Sequence, residues 1–461
     1  MTNRMLNPLG FDFSALRLSY KVTDTKAKKQ AWARVTLATD PEMKSIVYDS
    51  GERGDINSLS FTPDLSLLPR TRYYWQVEVA ADNGERARSD TAWFETAKIN
   101  EPFEAQWISA DWDLDEAMNL KKRFSAQDVV SARAYVCGLG LYELYINGQK
   151  AGDEYLTPNC NAYDKWLQYQ TYDVTGLIAQ GENDLCVMLG NGWYKGRFGF
   201  RSADKVYGDT EALILELRLK LKDGSEQVIA SDLSWKAQRS KIRFANIYDG
   251  EIYDATFSDD TLYPVKAMDL GFDRLTPRLS PPVIITEKIT PKEIIKTPKG
   301  ETVLDLGQEI TGWLAFKTRA PKGTKLHLSY GEILQGGNFY RDNLRSAKAE
   351  YTYISDGSER EVRPYFTYFG FRYIKLEGFG EDIQLSDFTG CVVHSTLHQI
   401  GRLKTSNEKV NRLILNALWG QRGNYLDVPT DCPQRDERMG WTGDAQAFAA
   451  TACFNMDSAA F

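Results

Sequence analysis

Apolar and polar side chains alternate with a period of two residues through much of the first 400 residues. The alternation is clearest where five leucines between Leu213 and Leu221 alternate with other, mostly charged residues ahead of a turn at Asp223-Gly224. This period predicts a strand with one buried face. A helical period appears only after about residue 405. We therefore predict a mainly β protein whose helices lie at its C-terminal end.

The helical part begins after Asn407, a residue type that favours the N-cap of a helix. Apolar residues then follow the spacing of one helix face, at Val410, Leu413, Ile414, Ala417 and Leu418. A second, alanine-rich helix is predicted from Asp444 onwards. The positive end of its dipole favours an ionised Asp444.

Residues 1–98 have the pattern of a small β-sandwich. Leu67, Pro69, Thr71 and Tyr73 follow an L-x-P-x-T-x-Y spacing, which resembles the tyrosine corner of fibronectin type III domains. In that corner the tyrosine hydroxyl ties back to the preceding turn. We expect this unit to space or brace its neighbours and to carry no chemistry.

A second β unit is predicted over residues 99–272. Asn147-Gly148 suits the two positive φ angles of a tight hairpin. Trp166, Trp193 and Tyr194 could stack on a sugar, but such side chains more often fill the core of a sandwich, and we expect the core role.

A third β unit is predicted over residues 273–400. Six prolines between residues 264 and 298 indicate a linker or an extended surface segment at its start. The aromatic residues of this unit indicate core and interdomain packing. Asp305 and Glu332 lie in turn-like settings, and we interpret both as structural.

The stretch richest in side chains that could bind or react with a substrate is Asp427–Gln446, DVPTDCPQRDERMGWTGDAQ. Prolines and glycines interrupt any regular helix there, and the charged and aromatic residues from Asp431 onwards are Asp431, Arg435, Asp436, Glu437, Arg438, Trp441 and Asp444. An indole can stack on a pyranose, carboxylates can bind its hydroxyls, and a protonated carboxyl can deliver a proton to a glycosidic oxygen. The alternative is an irregular connection between helices, held by Asp–Arg pairs.

Residues 431–446 of this stretch resemble the signature of the bacterial α-L-rhamnosidases of glycoside hydrolase family 78. The resemblance implies an inverting hydrolase in which a barrel of six α/α hairpins follows β-sandwich domains. It divides the chain into a fibronectin type III-like sandwich (1–98), a jelly-roll similar to carbohydrate-binding modules (99–272), a second sandwich (273–400) and the start of the barrel (401–461).

The same resemblance implies roles for single residues. Glu437 matches the general acid, Asp431 and Asp444 match residues that bind the rhamnose hydroxyls, and Arg435 and Trp441 match residues lining the pocket. Asp436 lies inside the motif and is assigned to the substrate-binding set. We expect burial and neighbouring carboxylates such as Asp431 to raise the pKa of Glu437.

Composition limits the partners and the location. The net charge of −7 argues against a nucleic-acid partner, and no run of eighteen apolar residues could span a membrane. The N-terminal residues lack an apolar signal core, so we expect a cytoplasmic protein. The six cysteines lack metal-binding spacing, so they indicate reduced thiols and neither a metal nor a cofactor. The expected partners are small or oligomeric rhamnosides.

A barrel of twelve helices needs about 200 residues, whereas residues 406–461 allow two or three helices. We therefore expect a fragment that lacks the water-activating carboxylate and is inactive by itself. Two alternatives stay open: a non-catalytic protein that binds carbohydrate through its jelly-roll, and a glycosidase with the same scaffold but a different sugar. Titrating the jelly-roll unit with rhamnosides would test the first alternative.

Overall fold

The computed structural model describes residues 1–112, 114–199 and 203–461, and it is mainly β, as predicted. We number its strands β1 to β32 and its helices α1 to α3 in chain order. Within these ranges, no helix is both long and apolar enough to cross a lipid bilayer.

The first unit is a sheet in the order β1-β6-β4-β2-β3, with β5 paired to β4. Its strands are β1 Leu9–Phe11, β2 Gln30–Ala38, β3 Ile46–Asp49, β4 Arg72–Ala81, β5 Arg86–Arg88 and β6 Ala92–Thr96. The Tyr73 hydroxyl accepts a hydrogen bond from the backbone N–H of Leu68 at 2.8 Å. This contact confirms the predicted tyrosine corner.

The second unit contains the jelly-roll strands, in the order β11-β10-β13-β8-β16-β19-β7-β14-β9-β12-β20, with β15 on β14. Strands in this part of the chain are β7 Trp107–Ala110, β8 Met118–Ala126, β9 Val129–Leu139, β10 Leu141–Ile146, β11 Gln149–Lys150, β12 Leu167–Asp173, β13 Gly181–Gly190, β14 Ala212–Leu221, β15 Glu226–Ala230, β16 Lys236–Arg239, β17 Ile242–Asn246, β18 Gly250–Asp254, β19 Tyr263–Met268 and β20 Leu275–Pro277. Asn147 (φ 52°) and Gly148 (φ 76°) form the predicted turn between β10 and β11.

The third unit is a sheet in the order β17-β18-β27-β24-β29-β23-β30-β21, with β22 and β28 on β23. Its remaining strands are β21 Val283–Ile289, β22 Glu293–Lys296, β23 Thr302–Thr318, β24 Lys325–Gly331, β27 Glu350–Ile354, β28 Arg360–Val362, β29 Phe369–Glu377 and β30 Phe388–Ser395, and a separate hairpin joins β25 Ile333–Gln335 to β26 Asn338–Tyr340. Strands β17 and β18 thus come from the second predicted unit and pair with the third. The predicted boundary at residue 272 stays a prediction, and the proline-rich segment takes the extended form, since it contains β19 to β22.

The second and third units also share one hydrophobic core, which includes Trp107, Trp193, Trp313 and Phe369. The jelly-roll has a further core of its own, and the first unit has a third. Trp193 and Tyr194 are buried in the shared core, as predicted, whereas Trp166 is 42% exposed.

Strand β14 corrects one expectation, because it is buried on both faces. Glu216, on the face predicted to be solvated, is fully buried and pairs with Lys98 at 2.5 Å and with Arg218 at 3.1 Å. Opposite charges offset the cost of burying the carboxylate. Asp305 is structural, as interpreted, since Arg372 binds both of its oxygens at 2.7 Å.

The helices are α1 Gly192–Lys195, α2 Glu408–Asn424 and α3 Thr442–Asn455, with a hairpin of β31 Tyr425–Leu426 and β32 Val428–Pro429 between the last two. The Asn407 side chain accepts hydrogen bonds from the backbone N–H groups of Lys409 and Val410, which confirms the predicted N-cap. The apolar face of α2 is only partly covered by the described residues: Ile414, Ala417 and Leu418 are half-buried, whereas Leu413 is 66% exposed.

Candidate active site

The segment that carries the candidate site is anchored as soon as α2 ends. Asp427, at the tip of the β31–β32 hairpin, accepts hydrogen bonds from the backbone N–H of Cys160 at 2.8 Å and from the Ser280 hydroxyl at 2.7 Å. Burial raises the pKa of Asp427 to about 6, although these two donors and the charge of Arg278 oppose the rise. The hairpin is therefore held by both the jelly-roll and the segment that follows it.

Residues 431–441 then form a loop without regular structure, as the prolines and glycines predict. Asp431 closes this motif loop: its backbone N–H donates to the Met439 carbonyl at 3.1 Å, and its carboxylate accepts from the Met439 N–H at 2.9 Å. The same carboxylate receives Nη2 of Arg435 at 3.3 Å. Asp431 therefore fixes the loop and faces the acid candidate at the same time.

Arg438 attaches the motif loop to the sandwiches. Its side chain is 2% exposed, and Nη1 donates to the carbonyls of Ile247 at 3.0 Å and Tyr368 at 2.8 Å. The guanidinium also lies over the rings of Tyr248 and Tyr368. The Tyr248 hydroxyl in turn donates to the backbone carbonyl of Glu437 at 2.8 Å. The backbone of the acid candidate is thus positioned by residues in the connections between β-strands of the sandwiches.

Glu437 is surrounded by hydrogen-bond donors. Nε1 of Trp441 donates to its Oε1 at 3.1 Å, while Nη2 of Arg435 and Nη2 of Arg345 donate to its Oε2 at 3.2 and 2.8 Å. The Glu437 side chain is 12% exposed. The structure therefore brings Asp431, Arg435, Glu437 and Trp441 together, as a sugar-processing site requires.

The expectation of a raised pKa for Glu437 is wrong for this structure. Burial does act to raise it, but the hydrogen bonds from Arg345, Trp441 and Arg435 outweigh burial and hold the pKa below its ordinary value. Two guanidinium groups and an indole N–H stabilise the carboxylate more than burial destabilises it.

Asp436 points away from any open space. It is 3% exposed, and its carboxylate accepts from Nε of Arg345 at 2.9 Å and from the Ser346 hydroxyl, with Arg197 at 3.9 Å. These contacts tie the motif loop to Arg345 and Ser346 of the third unit. The predicted sugar contact of Asp436 gains no support from this geometry and stays untested.

Trp441 and Asp444 lie where the loop joins α3. Trp441 is the N-cap residue of α3 and is 43% exposed, and Asp444 is an exposed residue in the first turn. Asp444 and Asp431 line one cavity of about 370 Å³, together with Tyr425 and Phe448. This volume lies within the range of small-molecule sites. Glu437 and Trp441 are not part of its lining.

Asp431, Cys432 and Glu437 are the described residues that come close enough to share a cation, with their ligand atoms within 4.8 Å of one another. Arg435 already places its guanidinium between the two carboxylates. A cation there would be repelled by Arg435, so we assign no metal to this cluster.

Several contributors to the site were missed by sequence reasoning, namely Arg197, Tyr248, Arg345, Ser346 and the anchoring role of Arg438. Arg345 lies 92 positions before Glu437. No spacing or period in the sequence links two residues so far apart.

Four family models match successive parts of the chain. They are described as the Rha78A-like N-terminal immunoglobulin domain (residues 1–100), the α-L-rhamnosidase N-terminal domain (127–287), the bacterial α-L-rhamnosidase concanavalin-like domain (295–394) and the bacterial α-L-rhamnosidase 6 hairpin glycosidase domain (398–461).

Individual relatives agree with these models. An α-L-rhamnosidase of Formosa agariphila is 33% identical over 489 residues, a match that covers 98% of this chain and 52% of the relative. One of Streptomyces avermitilis is 35% identical over 401 residues, covering 83% and 38%. The chain spans about half the length, or less, of these curated relatives.

Solved structures show the same likeness. The native α-L-rhamnosidase of Aspergillus terreus superposes with a TM-score of 0.92 and 32% identity, covering 98% of this chain and 55% of that one. The Streptomyces avermitilis α-L-rhamnosidase complexed with L-rhamnose gives a TM-score of 0.92 and 25% identity, covering 100% and 63%.

Tandem β-sandwiches ahead of helices that hold an acid, an arginine and an indole are features of a multidomain glycoside hydrolase. The family models and the relatives identify one family within this class. The chain belongs to the bacterial α-L-rhamnosidase family.

Proposed function

We propose that this chain supplies the proton donor and part of the sugar pocket of an inverting α-L-rhamnosidase. The observation that carries the proposal is the contact set of Glu437, whose two carboxylate oxygens are bonded by Trp441 and by Arg435. This contact set lies inside the segment that matches the 6 hairpin glycosidase domain. The α-L-rhamnosidase relatives support the choice of sugar.

In this proposal Glu437 enters the reaction protonated and transfers its proton to the glycosidic oxygen as the bond to the sugar breaks. The exposed indole of Trp441 packs on the C–H face of the rhamnose. Asp431, Arg435 and Asp444 bind its hydroxyls. Arg345 and Arg435 then stabilise the carboxylate that remains, which favours release of the proton.

Inversion also requires a carboxylate that activates water, about 6.5–9.5 Å from the acid and on the other face of the sugar. Asp431 lies within 4.8 Å of Glu437, which is too close for that role. We infer that the base belongs to the six-hairpin barrel, whose model matches residues 398–461. The expectations that the chain alone is inactive and that the protein is cytoplasmic stay predictions.

The test is the substitution Glu437→Gln in the full-length enzyme. We expect at least a 100-fold loss of kcat on an α-L-rhamnoside, because the amide cannot donate the proton, with rhamnose affinity within a few-fold of the wild type by isothermal titration calorimetry. Glu182→Gln, at an exposed position of β13, is the control and should change neither value. Near-normal turnover by Glu437→Gln would remove Glu437 from the reaction.

One observation favours carbohydrate binding by the jelly-roll as a second candidate function. A cavity of about 570 Å³ between this unit and the third unit is lined by Tyr145, Tyr253, Phe257 and Tyr365 among polar residues. Stacking rings beside hydrogen-bonding groups suit a sugar. Titration of the chain with L-rhamnose and rhamnosyl disaccharides, repeated with Phe257→Ala, separates this cavity from the Glu437 site.

A further inference from the structure

A loop of the third unit reaches the acid candidate from outside the motif. It runs from Arg341 to Ala349, between β26 and β27, and contains a 3-10 turn at Asp342–Leu344. Leu344, Ala347 and Ala349 are buried. The Asn343 side chain donates to Glu332. These contacts give the loop a fixed shape.

Arg345 lies at the tip of this loop in a left-handed backbone conformation, with φ 56° and ψ −114°. Residues other than glycine adopt such a conformation only where surrounding contacts enforce it, and they concentrate at functional sites. Here the contacts are those of the guanidinium. Nε donates to Asp436 at 2.9 Å, and Nη2 donates to Glu437 at 2.8 Å and to the Asp436 carbonyl.

The geometry gives Arg345 two effects on Glu437. It fixes the direction of the carboxyl group, because Nη2 bonds Oε2 while Trp441 bonds Oε1. It also adds a second positive charge beside that of Arg435. Among the described residues, the charged or titratable groups that face Glu437 or its immediate partners include Arg345 from the loop, Asp431, Cys432, Arg435, Asp436 and Arg438 from the motif, Arg197 after α1, and Tyr248 between β17 and β18.

We propose that Arg345 is a positioning residue for the proton donor, which orients the carboxyl of Glu437 and sets the pH range over which it can donate. This inference rests on the proposed function of Glu437. Arg345 acts through that carboxyl, and nothing in the geometry requires it to contact the sugar. The β-sandwich thereby takes part in the chemistry of a site that lies on the helical segment.

Removal of Arg345 should shift the pH dependence of activity in one direction. Proton donation requires protonated Glu437, so activity falls as the pH rises through its pKa. The ion pair with Arg345 is one cause that lowers this pKa. Arg345→Met should therefore move the alkaline limb of the kcat/KM profile to higher pH, by about one pH unit for the loss of one close opposite charge.

In the full-length enzyme, kcat and KM on an aryl α-L-rhamnoside would be measured between pH 4 and 9 for Arg345→Met, Arg345→Lys and Arg341→Met. We expect Arg345→Met to show the shifted limb and a lower kcat at its optimum, and Arg345→Lys to lie between it and the wild type. Arg341→Met is the matched control, since Arg341 belongs to the same loop and pairs with Glu350, away from the motif. An unmoved limb in Arg345→Met, or a rise in KM alone, would overturn the proposal.

A second readout needs no turnover and uses the 461-residue chain. Because the Trp441 indole N–H donates to Glu437, its ¹H–¹⁵N resonance, assigned with Trp441→Phe, reports the ionisation of that carboxyl. We expect a titration midpoint below the ordinary glutamate range in the wild type and about one pH unit higher in Arg345→Met. Equal midpoints would refute the role of Arg345. A shifted midpoint in a chain whose full-length parent hydrolyses no rhamnoside would instead refute the proposed function.

Discussion

Glu251 is a single residue whose environment changes its chemistry. It is 1% exposed and accepts hydrogen bonds from the backbone N–H groups of Tyr365 and Phe366, each at 3.0 Å. Burial raises its pKa to about 8, although these N–H groups and Arg363 act in the opposite direction. The folded protein thus keeps a proton on Glu251 at neutral pH, whereas the unfolded chain loses it near the ordinary value of 4.5.

A pH dependence of stability follows from this difference. The pKa of Glu251 is higher in the folded protein than in the unfolded chain. The contribution of Glu251 to the free energy of unfolding is therefore most favourable below pH 4.5 and is lost as the pH rises towards 8. When the pH is raised from 5 to 8.5, we expect the free energy of unfolding of Glu251→Gln to increase by about 2–4 kcal/mol relative to that of the wild type. Urea unfolding at the two pH values measures this, with the exposed Glu182→Gln as control. Parallel curves for the wild type and Glu251→Gln would show that the carboxyl does not titrate in this range.

Single residues of the site were predictable only inside one short stretch. Asp431, Arg435, Glu437 and Trp441 are close in sequence, and a loop without regular structure brings them together. Arg345 and Glu251 gave no such signal, because their partners lie 92 and 114 positions away. For the same reason the predicted direction of the Glu437 pKa shift was wrong, because the observed shift depends on Arg345.

At the scale of elements, the motif loop keeps its shape through its attachment to the connections between strands. Arg438 provides the central contact, because its guanidinium lies over the rings of Tyr248 and Tyr368 and donates to four backbone carbonyls, those of Ile247, Tyr368, Gln434 and Arg435. Buried carbonyls that lose their donors cost free energy.

We therefore expect Arg438→Met to lower the free energy of unfolding by about 2–4 kcal/mol, and Arg438→Lys to cost less because it keeps one donor group. Urea unfolding gives the free energy, and faster tryptic cleavage after Arg435, a site that both proteins keep, would show the loosened loop. Arg319→Met removes an arginine that is 82% exposed and should stay within about 0.5 kcal/mol of the wild type. A similarly small effect of Arg438→Met would argue against the anchor.

Elements that depend on residues close together in the sequence were predictable. The Asn147-Gly148 turn, the Asn407 N-cap and the Tyr73 corner each depend on residues within a few positions of one another. The second buried face of β14 was not predictable, because Lys98 lies 118 positions from Glu216. The apolar face of α2 was predicted correctly as a pattern, but a pattern cannot show what covers it.

At the scale of the whole molecule, ion pairs join the first unit to the jelly-roll. Glu95 on β6 is 2% exposed and pairs with Arg72 of its own unit at 2.7 Å and with Arg133 on β9 at 2.6 Å. Arg133 also pairs with Asp173 at 2.8 Å. Breaking a buried pair by removing one partner is costly, because a charge is left without compensation.

We expect Glu95→Gln to weaken this junction by about 2–4 kcal/mol, a value below that of a fully isolated pair because Asp173 remains. Differential scanning calorimetry should then show the first unit melting separately, at a lower temperature than the rest. Glu78→Gln is the control, since Glu78 pairs with the exposed Arg88 inside the first unit. Identical melting profiles for the two variants would mean that the junction does not depend on Glu95.

The order of units and the mainly β class were predictable at this scale, because strand and helix periods differ within each segment. The pairing of β17 and β18 with the sheet of the third unit was not predictable, because β18 pairs in parallel with β27, which follows it by 100 positions. Parallel pairing at that distance leaves no periodic trace in the sequence.

The attachment of Glu437 to Tyr248 and Arg345 has a practical consequence for anyone who redesigns these enzymes. A gene trimmed to its helical portion would lose the groups that hold the Glu437 carboxyl in place and lower its pKa. On the proposed function, the smallest working unit retains residues 242–377 beside the helices. Changes to the pH optimum would then be sought in a sandwich loop, away from the proposed sugar-binding residues.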